Sequence, residues 1–203
     1  MAEDEQEETN IREIKAILLG NSGVGKTNLI NTCVGKEFSS EKIPTNTASY
    51  SRKEFEIKGL KYEVNLWDTA GQEIYDSITK ILLKKSEIVI FVYDITDIKS
   101  FESIEKWIKT SKDMIDNQFV SGLVGNKMDL YINEQVKEDD ARKFAESKEM
   151  QFQLVSAKDN PQSFQLFLKD LVEELVGVSK SQTKVSLRLS DIKVDNKKKK
   201  CNC

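Results

Sequence analysis

The chain has 203 residues, with 31 Lys and Arg against 34 Asp and Glu, a formal charge of −3 and no histidine. The missing histidine excludes Ser-His-Asp and Cys-His catalysis and any His-ligated metal. Three cysteines make neither a Cys₄ zinc site nor a disulfide framework. The length suits one α/β domain with tails, and a hydrophobic share of 38% is enough for one core.

Charge is unevenly spread. Met1 to Asn10 holds Glu3, Asp4, Glu5, Glu7 and Glu8 and no base, while Ser179 to Cys203 holds eight Lys and Arg against two Asp. This pattern predicts an acidic disordered head over 1–10, a folded domain over 11–178 and a flexible basic tail over 179–203. The acidic start is no secretory signal, and Ala2 rather than Gly after Met1 argues against myristoylation. The longest strongly apolar run, Ile88 to Tyr93, is far below the roughly 20 residues of a membrane helix.

Taken in chain order, Ile14 to Leu19 reads as a buried strand leading into a glycine-rich loop. A helical pattern follows through Leu29, Ile30, Cys33 and Val34, with Cys33 as a small core residue. Lys53 to Ile57 and Lys61 to Leu66 alternate apolar and polar residues around Gly59, which predicts a hairpin. Ile88 to Tyr93, Leu123-Val124 and Phe152 to Val155 read as further short strands. Between them Phe101, Ile104 and Ile108 share one helical face. A last helix is predicted from Phe164, Phe167, Leu168, Leu171, Val172 and Leu175, with Asn160 as its cap and Pro161 in its first position. Alternating strands and helices imply a mostly parallel sheet covered on both faces, the hairpin adding one antiparallel edge strand.

Gly20-Asn21-Ser22-Gly23-Val24-Gly25-Lys26-Thr27 matches G-x-x-x-x-G-K-[ST] between a predicted strand and a predicted helix. Such a loop turns successive backbone N–H groups toward phosphates, and the helix N-terminus adds its positive dipole end. Lys26 can reach the β- and γ-phosphates, and Thr27 can offer its hydroxyl to Mg²⁺. Trp67-Asp68-Thr69-Ala70-Gly71-Gln72-Glu73 ends the hairpin's second strand. There Asp68 can hold a magnesium-bound water, the Gly71 N–H can meet the γ-phosphate, and Gln72 can orient an attacking water. Asn126-Lys127-Met128-Asp129 and Ser156-Ala157-Lys158 follow two later strands, at the strand ends where open α/β sheets bind ligands.

This ordered set, GNSGVGKT, DTAGQE, NKMD and SAK, resembles the small GTPases of the Ras superfamily from about Ile11 to Val178. The resemblance implies the P-loop small GTPase fold, a mostly parallel six-stranded sheet with one antiparallel edge strand and helices on both faces, over a GTPase domain of 11–178. It implies that Ser22, Gly23, Val24, Gly25, Lys26, Thr27 and Asn28 meet GTP or GDP. Asp129 would accept two hydrogen bonds from guanine, Asn126 would brace the loop and meet the base edge, and Lys127 would lie along the base plane. The Ala157 N–H would donate to the guanine 6-oxo group, within the loop of Ser156 and Lys158. Contacts of this kind discriminate strongly, because a wrong base leaves buried groups unpaired. Phe38 lies seven residues before Thr45, the family spacing for the aromatic that packs on guanine and the threonine that binds Mg²⁺. Thr47 is a rival for the metal, which spacing disfavours.

The reaction expected is GTP and water to GDP and phosphate, with Gln72, Lys26 and Gly71 as the catalytic set. None of the four arginines (Arg12, Arg52, Arg142, Arg188) lies inside the matched motifs. Turnover should therefore be slow without an activating protein, on the order of 10⁻⁴ to 10⁻³ s⁻¹.

The chain ends Lys197-Lys198-Lys199-Lys200-Cys201-Asn202-Cys203, which is no C-a-a-X box. The Cys-x-Cys ending looks like that of the Rab family, whose members carry two geranylgeranyl groups, here on Cys201 and Cys203. Two lipid chains anchor stably where one does so only marginally, and the lysines add attraction to an anionic leaflet. Phe91 to Thr96 and Ser100-Phe101 before Trp107 are also Rab-like. Departures fall in the recognition segments. Asn46-Thr47-Ala48-Ser49-Tyr50 replaces the usual Ile-Gly-Val-Asp-Phe, Leu82-Leu83-Lys84-Lys85 replaces Tyr-Tyr-Arg-Gly, and Ile74 replaces a base. By spacing, Tyr50, Trp67 and Leu82 would form the exposed hydrophobic triad that effectors read. The resemblance implies a monomer on the cytoplasmic face of an intracellular membrane, cycling with the cytosol and regulating vesicle traffic. Its partners would be an exchange factor, an activating protein, a dissociation inhibitor or prenylation escort, and effectors, with no nucleic acid. The rival readings are a Ras- or Rho-like signalling GTPase, a nucleotide-locked binding module that hydrolyses nothing, and a P-loop kinase acting on a small metabolite.

Overall fold

The computed structural model describes residues 11–41, 49–69 and 81–177. Its strands are β1 (Arg12–Leu19), β2 (Ser49–Ile57), β3 (Leu60–Asp68), β4 (Ile88–Asp94), β5 (Val120–Asn126) and β6 (Gln151–Leu154). Its helices are α1 (Lys26–Cys33), α2 (Ile98–Glu102), α3 (Ile104–Met114), α4 (Glu138–Ser147) and α5 (Pro161–Leu175), with a 3₁₀ segment at Met128–Asn133. The six strands form one sheet in the order β2-β3-β1-β4-β5-β6. The β2–β3 pair is antiparallel and every other pair is parallel, as expected.

The hairpin turn is two residues long, since Ile57 pairs with Leu60 across Lys58 and Gly59. Both turn residues have positive φ, 52° and 76°, the backbone that matches the twist of a tight hairpin. The strand order reverses at β1, whose neighbours are β3 on one side and β4 on the other. That reversal opens a crevice at the strand C-termini, where the glycine-rich loop emerges.

Side-chain alternation splits the core in two. From β1, Ile14, Ala16 and Leu18 pack with Leu29, Ile30 and Cys33 of α1 and with Phe164, Leu168 and Leu171 of α5. Ile17 and Leu19 point the other way, toward Ile104, Trp107 and Ile108 of α3 and Ala141 and Ala145 of α4. All seven residues of β4 are buried, as a central strand with both faces covered requires. Cys33 is a core residue, and burial pushes its thiol up to about 11, so it stays protonated near neutral pH.

Three local expectations are corrected. The helical face of Phe101, Ile104 and Ile108 belongs to two helices, α2 and α3, divided at Ser103. The Ser103 hydroxyl donates to the Lys99 carbonyl at 2.7 Å. Asn160 occupies the N-cap position of α5, with Pro161 first in the helix, yet its side chain makes no capping bond. Its carbonyl instead accepts from the Ser163 hydroxyl at 2.6 Å. The last strand ends at Leu154, one residue short of the expected Val155, whose N–H still donates to the Gly125 carbonyl at 2.8 Å.

Candidate functional site

The loop between β1 and α1 is shaped by glycines that nothing else could replace. Gly25 has φ 96°, and a Cβ there would stand 2.4 Å from Asn126 Nδ2. Gly20 is tighter, with a Cβ placed 2.1 Å from the Val92 carbonyl oxygen of β4. Lys26 opens α1 and is buried; its Nζ donates to the carbonyls of Gly20 at 2.8 Å and Asn21 at 3.0 Å. The lysine thus spans the loop it belongs to, and its ammonium stands where the phosphate loop closes.

Asp68, the last residue of β3, meets α1 across the crevice. Thr27 Oγ1 donates to Asp68 Oδ2 at 2.7 Å. Asp68 Oδ1 is buried and has no hydrogen-bond partner among the described residues. Burial pushes the Asp68 carboxyl up, opposed by the Thr27 hydrogen bond and by Lys26. A hydroxyl and a carboxylate with a free buried oxygen are hard donors, the set that Mg²⁺ takes directly or through water. The residues therefore fit the ion. Thr69 was not anticipated: its hydroxyl donates to the Leu18 carbonyl at 2.8 Å and ties the end of β3 to β1.

The other end of the crevice is built around Asn126. This buried side chain donates to the Val24 carbonyl at 2.9 Å and accepts from the Ala157 N–H at 3.3 Å. One amide therefore joins the phosphate loop to the loop after β6. Ser156 Oγ donates to Asp129 Oδ1 at 2.6 Å and accepts from the Asp159 N–H at 3.0 Å, which fixes the Asp129 carboxylate. Lys127 follows β5 with φ 66° and pairs with Asp94 Oδ2 at 2.6 Å. Ala157 is buried beside them, and Lys158 is exposed at the rim. The structure thus brings together Val24, Asn126, Lys127, Asp129, Ser156 and Ala157, which are scattered over 134 positions of sequence.

Ser22 and Gly23 are exposed at the tip of the phosphate loop. Asn28 is paired with Ser39, its Nδ2 donating to the Ser39 carbonyl at 2.9 Å and its Oδ1 accepting from the Ser39 N–H at 3.2 Å. This holds the segment that carries Phe38, whose ring is exposed. Thr45 and its rival Thr47, Gly71 and Gln72, and Cys201 and Cys203 lie outside the described residues.

On the hairpin, Tyr50 and Trp67 stand directly opposite and stack with ring centroids 5.1 Å apart. Tyr50 is 49% exposed, and Leu82 packs partly buried against the second core. Lys15 Nζ lies 5.3 Å from the Trp67 ring centre. Arg52, the arginine nearest Thr45 in sequence, lies over Tyr50 and faces Glu63 at 3.5 Å.

A strand, a glycine loop with its buried lysine, a carboxylate sharing a proton donor with the loop threonine, and two braced loops at the strand ends form one continuous crevice. A family model described as the Ras family matches residues 15–177, most of the chain. The protein belongs to the Ras family and is a small GTPase, a switch governed by guanine nucleotide.

Proposed function

We propose that this GTPase is a Rab-type switch that hydrolyses GTP slowly and cycles between the cytosol and the cytoplasmic face of an intracellular membrane, where it regulates vesicle traffic. The observation that carries this reading is the ending Lys197 to Cys203: four lysines and a Cys-x-Cys pair behind a complete GTPase motif set. Geranylgeranyl groups on Cys201 and Cys203 would supply two anchors, and the lysines would add attraction to anionic lipid. The Tyr50–Trp67 stack, with Tyr50 exposed and Trp67 half-buried, supports the same reading, since an aromatic pair that reaches the surface suits partner recognition.

The chemistry asked of the residues is positioning and charge neutralisation. The N–H groups from Ser22 to Asn28 would face the phosphates, with Lys26 supplying positive charge at the β–γ bridge. Thr27, Thr45 and, through water, Asp68 would hold Mg²⁺, which would supply positive charge against the phosphates. Gly71 would donate its N–H to the γ-phosphate, and Gln72 would hold the attacking water in line. Loss of the γ-phosphate would release the segments around Thr45 and Gly71, a difference that effectors read. An exchange factor would release GDP, an activating protein would speed hydrolysis, and a dissociation inhibitor or prenylation escort would carry the lipidated monomer.

Two measurements on the full chain test this. Single-turnover phosphate release should be slow for the wild type and slower still, by about tenfold or more, for Gln72→Leu; equal rates would remove Gln72 from catalysis. Mass spectrometry of the C-terminal peptide from native cells should find both cysteines prenylated. Two free thiols on membrane-associated protein would overturn the Rab-type assignment and leave the GTPase standing.

A further inference from the structure

We propose that Asp94 is a positioning residue for the guanine site, acting through Lys127. The proposal rests on the reading that Lys127 lies along the plane of the base. Asp94 ends β4 and Asn126 ends β5, and the parallel register sets the two side by side. That register brings Lys127 over Asp94, and Lys127 Nζ meets Asp94 Oδ2 at 2.6 Å. The pair is largely shielded, with side-chain exposures of 31% and 10%, so the contact is far less screened than a surface ion pair.

The rest of Asp94 is immobilised. Its Oδ1 accepts from the Thr96 N–H at 2.9 Å and from the Thr96 hydroxyl at 2.7 Å. Its N–H donates to Ser100 Oγ at 3.0 Å, and its carbonyl accepts from the Asp97 N–H at 3.0 Å. One oxygen is thus spent on the turn that follows β4, leaving the other aimed at Lys127. A carboxylate held this way fixes the end of a side chain that otherwise has four free torsions. With the ammonium anchored, the aliphatic stem is left in one extended path, which suits flat contact with an aromatic ring. Without the anchor the ammonium would gain hydration by turning into solvent, and the stem would leave with it.

The Lys127 backbone does not depend on this pair. Its left-handed conformation is held by Met128 N–H donating to the Val155 carbonyl at 3.1 Å and Leu130 N–H donating to the Lys127 carbonyl at 2.8 Å. Loss of Asp94's charge should therefore free the side chain and leave the loop in place. Asp129, held by Ser156, should keep its own contacts.

The test is a double-mutant cycle read by release of a fluorescent GDP from the full-length protein, with Asp94→Asn, Lys127→Met and the double variant. Asp94→Asn keeps an oxygen for Thr96 and removes the charge. It should speed release roughly tenfold, the scale of a lost charge-assisted hydrogen bond. Lys127→Met should speed release at least as much, and the double variant should match Lys127→Met alone, because Asp94 has no other route to the base. Asp94→Glu should restore part of the loss, which a purely structural defect would not permit. The acceleration of release by EDTA should be the same multiple in all variants, since the metal end is untouched. Wild-type release from Asp94→Asn beside fast release from Lys127→Met would overturn the proposal alone. Effects that multiply in the double variant would also overturn it. Wild-type release from Lys127→Met would overturn the guanine-site reading beneath it.

Discussion

At the scale of single residues, Asp68 is a buried acid at the site with one unmet oxygen among the described residues. Its carboxylate is buried, one oxygen accepts from Thr27, and the other has no partner among the described residues. A buried anionic oxygen without a partner costs free energy that only a cation or a proton removes. Burial raises the Asp68 carboxyl above its ordinary value of about 3.9. An acid shifted upward on folding favours the folded state while protonated. Its contribution is fully present below the unfolded value and is lost as pH rises through the raised folded value. In GDP-loaded protein stripped of Mg²⁺ by EDTA, Asp68→Asn should therefore be more stable than wild type at pH 7. A gain of about 1 kcal/mol would appear as a melting temperature roughly 2–4 °C higher. The difference should shrink as pH falls through the raised folded value, where the wild-type carboxyl takes up its proton. Excess Mg²⁺ should reverse the order, since only the carboxylate rewards the ion. Melting curves in EDTA and in Mg²⁺ at two pH values decide it; an Asn variant that is less stable in every condition would show the carboxylate to be structural.

At the scale of elements, the turn before β4 carries a residue against its own preference. Ser86 N–H closes the turn on the Leu83 carbonyl at 3.1 Å, and Lys85 inside it has φ 63°. A side chain in that left-handed region costs about 1 kcal/mol, and Gly avoids the cost at the expense of a more flexible unfolded chain. Lys85 also lies near Lys15, whose ammonium is disfavoured first by burial and then by Lys85. Lys85→Gly should raise the melting temperature by roughly 2 °C in the same nucleotide state, whereas Lys85→Ala, which keeps the Cβ, should not. Equal gains from both would assign the effect to lost charge. The other elements show what sequence patterns carry. The hairpin was legible because strand alternation and the Lys58-Gly59 turn agree. Helix α4 was not, because its buried positions are Ala141 and Ala145, too small and too few to make an apolar stripe. Its stabilisers are an acidic first turn and the Glu138–Arg142 pair at 2.6 Å, which are common in any charged segment. The α2–α3 break was hidden because Ser103 keeps helical backbone angles and leaves the periodicity nearly intact.

At the scale of the whole molecule, the site is a property of the sheet, because parallel register sets motifs from distant sequence side by side. Residues within one motif were legible as contiguous strings, with glycines and a lysine at fixed spacing. Contacts between motifs were not, since only the fold puts Asp94 beside Lys127 or Thr69 beside β1. Asn126 is the strongest such link, reaching the phosphate loop through the Val24 carbonyl and the loop after β6 through the Ala157 N–H. Asn126→Ala would strand both backbone groups in a buried place, at about 1–3 kcal/mol each where water does not replace the amide. It also opens space beside Gly25, whose lack of a Cβ serves this contact. The loss should therefore appear twice, as GDP release faster by about a hundredfold or more and as an intrinsically less stable domain. The two effects are separable, because bound ligand adds stability according to its concentration relative to Kd. With GDP set to the same multiple of Kd for each variant, the ligand's share is equal. The melting temperature of Asn126→Ala should then still fall by roughly 4–8 °C for a net loss of about 2 kcal/mol. A variant that releases GDP quickly but melts with wild type under matched saturation would make Asn126 a ligand contact only. The phosphate and base ends would then be joined through the strands alone.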